Sequence, residues 1–314
     1  MSLLFRYRLL FVLVVMVPLN GCLFHSRKVE RKVSSAPLKT ATQADLISYL
    51  NEQAKKIQSM QATVDIDTSV GGEQKGTVTD YKQIRGYVLV RKPLMLRMIG
   101  LMPIVRNKAF DMVSNGQSFK VWIPPKNRFV EGRNDYVSPN KQPSLENLRP
   151  QAIYEAILIP EIDSMNGEIA VMQSDYEQVL DTKRRPVLQP DYEIIVVKNG
   201  AKGAYLSRKI IFGRTDLLPH QQLIYDQNGT LQTKVEYADY KDHQGINFPS
   251  KIEIQRPQEE YDITLSIVKL ELNPQMPDDK FALEQPPGAQ VVRLDKEHSQ
   301  LNSPASDQSK PQPQ

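Results

Sequence analysis

Few residues of this 314-residue chain stand where side-chain chemistry would need them. The histidines are His25, His220, His243 and His298. His25 and His298 lie in polar terminal stretches, and neither His220 nor His243 has a Glu or second His at the spacing that grips a metal ion. No zinc or iron site is expected. Two carboxylate pairs could in principle share a proton or a cation. Asp65 and Asp67, however, alternate with apolar residues on the wet face of a strand, and Asp278-Asp279 precedes Lys280 in a loop, so both read as solvated surface. No GxSxG elbow, phosphate-binding loop or dinucleotide fingerprint occurs, and Gly71-Gly72 and Gly200 through Gly203 are turn glycines. The sequence therefore names no catalytic residue, no metal ligand and no cofactor. Its one thiol is Cys22, preceded by Arg6, Arg8, the apolar run Leu9 to Leu19 and the small polar residues Asn20-Gly21. That run has the length of a signal-peptide core and is too short to cross a bilayer as a helix.

Leu19-Asn20-Gly21-Cys22 resembles the lipobox of bacterial lipoproteins, in which the cysteine is acylated and becomes the new N-terminus. The alternative is an ordinary secretory signal followed by a chance cysteine. Acylation would leave no thiol for a disulfide or a nucleophile. Multiple acyl chains would also anchor the chain durably, which one chain alone does not. Lys and Arg number 40 against 36 Asp and Glu; Arg6 and Arg8 leave with the signal, so the mature chain carries 38 against 36. Such a mild excess says nothing for nucleic acid, which usually needs a concentrated basic face, and none is expected as a partner.

The expected organisation is a signal peptide over 1–21, a lipid anchor and flexible tether over 22–41, one folded domain over 42–294 and a disordered tail over 295–314. A helix is predicted over about 43 to 59, capped by Thr42 with Asp45 three residues on and striped by Leu46, Leu50, Ala54 and Ile57. Strand alternation follows from Ala62, and Asn115-Gly116 and Asn228-Gly229 suggest two-residue hairpin turns. Ser144 to Leu158 reads as one or two short helices interrupted near Pro150. In the last long strand Tyr261, Ile263, Leu265 and Ile267 share a face, whereas Val268, Leu270 and Leu272 switch to the other, which suggests a bulge or a strand leaving one packing layer for another. The fold class is mainly β (α+β): a large antiparallel curved sheet of about ten or eleven strands with helices on one side and no βαβ alternation.

A curved, incomplete barrel must either pack its concave face or keep a cavity there. Val64, Ile66, Leu94, Leu96, Met98, Phe110, Met112, Phe119 and Val121 are the candidate lining residues, since Met and Leu repack readily around irregular apolar ligands; the alternative is an ordinary core. Met98 to Val105 is apolar without alternation and contains Gly100 and Pro103, so its centre should turn. An exposed tip carrying Leu101, Met102 and Ile104 would touch lipid or another protein, unless the loop folds inward.

Three segments carry a family resemblance. Arg91-Lys92-Pro93-Leu94-Met95-Leu96-Arg97 resembles the basic residue, Pro and strand motif of the LolA/LolB-like lipoprotein-localisation proteins. Asn115 to Pro124, with Gly116, Trp122 and Pro124, is similar to that family's hairpin. Phe281-Ala282-Leu283 with Pro286-Pro287-Gly288 is similar to its closing segment. The resemblance implies an open half-barrel with helices as a lid over an apolar cavity, binding acyl chains of lipoproteins or lipids without catalysis or cofactor. It also implies a lid latch at Lys92, with Arg91 beside it, and a membrane-contact loop at Leu101, Met102 and Ile104. With Cys22 it points to the membrane-anchored acceptor branch, facing the periplasm from the outer membrane, with a periplasmic carrier or partner protein as a candidate partner. A sensor or scaffold lipoprotein of the same fold is the other reading.

Overall fold

The computed structural model describes residues 37–73, 76–135, 148–180, 183–200 and 203–294. The chain divides into a main unit, Ala36–Tyr176 with Pro190–Gln314, and a second unit, Met1–Ser35 with Glu177–Gln189. In the second unit the described residues form the far ends of two strands.

Helix α1, Gln43–Lys56, begins at a reciprocal cap: Asp45 N–H donates to Thr42 Oγ1 at 3.2 Å and Thr42 N–H to Asp45 Oδ2 at 2.8 Å. It ends three residues earlier than the pattern predicts, because Ile57 is already extended and the first strand starts at Ser59. Helix α2, Pro150–Ile157, starts on Pro150, where the missing N–H needs no partner and the fixed φ suits a first turn. The expected interruption is thus a helix start. Ser144 to Asn147 lie outside the described residues.

Six strands follow α1: β1 Ser59–Gly72, β2 Thr77–Arg91, β3 Met95–Leu101, β4 Lys108–Ser114, β5 Ser118–Ile123 and β6 Arg128–Arg133. After α2 come β7 Glu168–Leu180, β8 Pro186–Gly200, β9 Gly203–Gly213, β10 Pro219–Tyr225, β11 Leu231–Asp242, β12 Asn247–Arg256 and β13 Tyr261–Leu272, and finally β14 Gln290–Arg293. All fourteen belong to one unclosed sheet in the order β14-β6-β5-β4-β3-β2-β1-β13-β12-β11-β10-β9-β8-β7. From β6 through β1 and β13 to β8 neighbouring strands run antiparallel, and β14 lies parallel on β6. The count exceeds the expected ten or eleven. The short β6 behind Pro124-Pro125 and the four-residue β14 have too few alternating apolar residues to announce themselves.

The topology is two meanders joined at one seam. The chain walks outward from β1 to β6, crosses through α2 to the far edge at β7, and walks back to β13, which pairs with β1. Across that seam the register slips: Thr63 faces Lys269 and Val64 faces Ile267, leaving Val268 as the extra, exposed residue. This is the bulge that the change of apolar face implies. Gly86 faces Gly100 across β2 and β3, and a side chain at Gly100 would collide with the Phe110 ring.

Packing differs between the meanders. Leu148, Ile153, Tyr154, Ala156 and Ile157 pack with inward residues of β1–β5 and β11–β13 in one large core. Helix α1 contributes the buried Leu46 and Leu50, with half-buried Ile47 and Tyr49 beside them, against Tyr192, Ile194, Val196, Ile210 and Phe212 of β8 and β9. On the outer face Leu89, Met276 and Phe281 form a small third cluster.

Candidate functional site: a cavity beneath the first helix

Two buried leucines supply about 3–6 kcal/mol of apolar burial to this fourteen-residue helix, and half-buried Ile47 and Tyr49 add to it. Side-chain amides do the rest. Gln43 donates through Nε2 to Ala170 O at 3.0 Å and accepts from Met172 N–H at 3.1 Å, so it occupies backbone groups of β7. Asn51 makes the same two-point contact with the backbone of Ile162, at 2.9 and 2.8 Å. Gln53 accepts from Asn247 N–H at 3.2 Å. Helix α1 is thus held over the second meander by polar clasps as well as by apolar contacts.

Between α1, the segment after α2 and the inner face of β8–β12 lies a cavity of about 600 Å³, within the range of small-ligand pockets. Leu50, Ile57, Ile157, Leu158, Ile159, Ile224 and Phe248 give it apolar walls. Polar groups converge on one side. Arg208 bonds Pro160 O at 3.1 Å, Glu161 O at 2.8 Å and Glu168 Oε2 at 3.1 Å, and Lys198 lies 2.9 Å from Glu168 Oε1. Burial pushes the Glu168 carboxyl up, but Arg208, Lys198 and the Asp163 N–H outweigh it and hold the group below its ordinary value. Burial lowers the Arg208 pKa against the pull of Glu168. The Tyr237 hydroxyl lies 2.9 Å from Ala156 O and 3.1 Å from Gln222 Oε1, and complete burial raises its pKa strongly.

Of the nine residues expected to line a cavity, Leu94 does so. Val64, Ile66, Leu96, Met98, Phe110, Met112, Phe119 and Val121 are brought together as well, in the close-packed core shared with α2. Lys92 stands at the cavity rim: Nζ donates to Ala54 O, in the last turn of α1, at 2.7 Å and lies 3.7 Å from Glu161 Oε1. Arg91 points to the outer face, where it bonds Met276 O and Asp278 at 2.5 Å each and stacks on Phe281. Leu101 ends β3, half-buried; beyond it Met102 is exposed and Ile104 is 98% exposed. Met102 N–H donates to Asn107 O and Arg106 N–H to Met102 O, which closes this loop as a tight turn. Cys22 lies outside the described residues, as do the signal segment and the C-terminal tail. Of the predicted tether, Lys39 pairs its backbone N–H with Arg214 O and Ala41 packs beside α1.

The polar wall of the cavity is absent from the sequence expectation. One signal for it exists. Arg208, Ile210 and Phe212 share one face of β9, and Gln222 and Ile224 share one face of β10, so a charge and an amide stand where alternation demands apolar residues. His220 is likewise structural: its Nε2 lies 2.8 Å from Asp216 Oδ2 while Asp216 Oδ1 accepts from Leu218 N–H, clamping the β9–β10 turn. Among the described residues no three His, Cys, Asp or Glu side chains converge as a metal site, and no helix is long and apolar enough to cross a membrane.

These features define a class: an unclosed β-sheet domain with a helix-covered cavity. A family described as "-like: Uncharacterized protein" matches residues 167–285, which run from the start of β7 past β13. No curated protein matches by sequence. The chain is similar to the crystal structure of a DUF1329 family protein from Desulfovibrio piger, with 16% identity, 76% of this chain and 95% of that chain covered, and a TM-score of 0.46. It is also similar to a LolA superfamily protein from Nitrosomonas europaea, at 14% identity, 76% and 97% coverage and a TM-score of 0.45. For an outer membrane lipoprotein-sorting protein domain, there named putative, from Vibrio parahaemolyticus the values are 10%, 75% and 95%, and 0.44.

Proposed function

We propose that this protein is a membrane-anchored envelope lipoprotein that binds acyl chains of lipids or lipoproteins, as acceptor or carrier in lipoprotein sorting to the outer membrane. The observation that carries the reading is the cavity of about 600 Å³ with an apolar wall of Leu50, Ile57, Ile157, Leu158, Ile159 and Ile224, covered by α1. Binding needs no catalytic group, and two of the polar groups at the cavity, Lys92 and Asn247, hold its cover through Ala54 O and Gln53. The Leu19 to Cys22 motif supplies the anchor in this reading, with the outer membrane, on its periplasmic side, as the surface served. The exposed turn with Met102, Ile104 and Val105 supplies a second, reversible contact with lipid.

The direct test is uptake of a fluorescent fatty-acyl probe by the full-length protein held in amphipol. Ile159→Trp, which fills the cavity, should abolish uptake while leaving the thermal midpoint within a few degrees. A wild-type protein that ignores the probe and carries no co-purified lipid refutes the proposal. The exposed side chains Ile169, Val171 and Tyr176 on β7, at the sheet edge, favour the second reading, a sensor or scaffold that binds a partner protein there. Recovery of one stoichiometric partner without bound lipid is the result that selects it.

A further inference from the structure

The cavity wall contains two buried hydrogen-bond donors with nothing to donate to. Arg208 and Gln222 are 5% and 0% exposed, and both line the cavity. Neither Arg208 Nε nor Gln222 Nε2 has a hydrogen-bond partner. The terminal nitrogens of Arg208 are committed to Pro160, Glu161 and Glu168, and Gln222 Oε1 faces the Tyr237 hydroxyl. Register places the two together. Arg208 faces Ile224 and Gln222 faces Ile210 across β9 and β10, so they are diagonal neighbours on one face of the sheet. A buried donor left unmade costs more than a bond contributes, so two of them side by side in a cavity wall call for an acceptor there.

Charge narrows what completes them. Lys92, Lys198 and Arg208 line the cavity against Glu155, Glu161, Asp163 and Glu168, three cations against four carboxylates. Arg208 and Lys198 are already paired with Glu168. A further anion would be desolvated with no free cation to meet it.

Resting on the acyl-binding reading, we propose that the cavity recognises a neutral acyl ester or amide. Its carbonyl oxygen accepts from Arg208 Nε–H and Gln222 Nε2–H, and its chain lies along the aliphatic wall. The cavity is thereby a site for esterified or amide-linked acyl groups, such as those of glycerides and lipoproteins, rather than for free fatty-acid anions.

Three probes of equal chain length separate the possibilities: 1-monododecanoyl glycerol, its 1-O-dodecyl ether analogue and dodecanoate, each titrated into the full-length protein in amphipol. The ester should bind about tenfold tighter than the ether, equivalent to about 1.4 kcal/mol, and tighter than dodecanoate, which is ionised at about pH 7. Gln222→Leu should bring the ester-to-ether ratio close to one. Gln222→Glu, which keeps the oxygen facing Tyr237 and replaces the donor by an acceptor, should do the same. Equal binding of ester and ether by the wild type, or a preference for dodecanoate, overturns the inference alone. Failure of all three probes to bind overturns the acyl-binding reading with it.

Discussion

Lys92 is the cleanest place to test whether α1 is a cover that opens. Its ammonium donates to Ala54 O at 2.7 Å, and its side chain is 27% exposed. Ala54 O belongs to the last turn of α1, where carbonyls lack helical partners and favour a cation. A hydrogen bond from a charged donor contributes about 1.5–3 kcal/mol in a protected site. Two facts move this one to the low end. Ile57 N–H also reaches Ala54 O, at 3.3 Å, so Lys92→Met does not orphan the carbonyl. The Glu161 contact is 3.7 Å between partly exposed groups and is worth well under about 1 kcal/mol. Lys92→Met should therefore cost about 1–2 kcal/mol, and the cost should fall on the opening of α1. Hydrogen–deuterium exchange of a peptide spanning 43–56 should speed up by a factor of about 5–30, while a peptide spanning 247–256 in β12 stays unchanged. Lys92→Arg, which retains the charge, should restore part of the protection. Uniform acceleration in both peptides, or none in α1, refutes the latch.

Other consequences are equally direct. Tyr237→Phe removes a buried hydroxyl from Ala156 O and Gln222, and should lower stability by about 1–2 kcal/mol in denaturant titration. Ile104→Asp alters a side chain 98% exposed, so thermal stability should hold within about 0.5 kcal/mol, while binding to vesicles measured by flotation falls. The His220–Asp216 clamp should make stability depend on pH. The imidazole pKa is raised from 6.5 chiefly by its bond to Asp216, so its contribution is complete below that value and lost as pH rises through the folded pKa. Burial pushes Asp216 up, yet the bonds from His220 and Leu218 leave it below 3.8, so its contribution is present above that value and lost in acid. The stability difference between wild type and His220→Gln should be largest between 3.8 and 6.5 and shrink toward alkaline pH; a difference flat across pH 5 to 9 counts against the clamp.

Much of the fold was legible because its signals are local. Thr42 and Asp45 mark the start of α1, strict alternation from Ala62 to Ile66 marks β1, and the change of face at Val268 marks the bulge. Both Asn-Gly turns are real turns but longer than two residues. Asn115 Oδ1 accepts from Gln117 and Ser118, and Asp226 Oδ1 accepts from Asn228 and Thr230, so a side chain ahead of each glycine organises a wider loop. The cavity was not legible in the same way. An inward aliphatic residue looks alike in sequence whether a helix packs on it or a void faces it, and that choice depends on where α2 crosses the sheet.

That crossing explains why the two meanders differ. Helix α2 brings six buried residues, Pro150, Ala152, Ile153, Tyr154, Ala156 and Ile157, down onto a core that includes Met98, Met112 and Val121. It plugs the first meander and the adjoining β11–β13 of the second with apolar side chains. Helix α1 brings two buried leucines, half-buried Ile47 and Tyr49 and a row of amides to the second meander, whose inner face interrupts its apolar alternation with Arg208, Gln222 and Tyr237. A helix with that little apolar surface cannot seal such a face, and burying unpaired donors under it costs free energy that a well-packed core would avoid. The polar insertions and the weakly apolar helix thus belong to one arrangement. The first half of the sheet is built to be rigid, and the second keeps space under a cover held by bonds that can be exchanged one at a time.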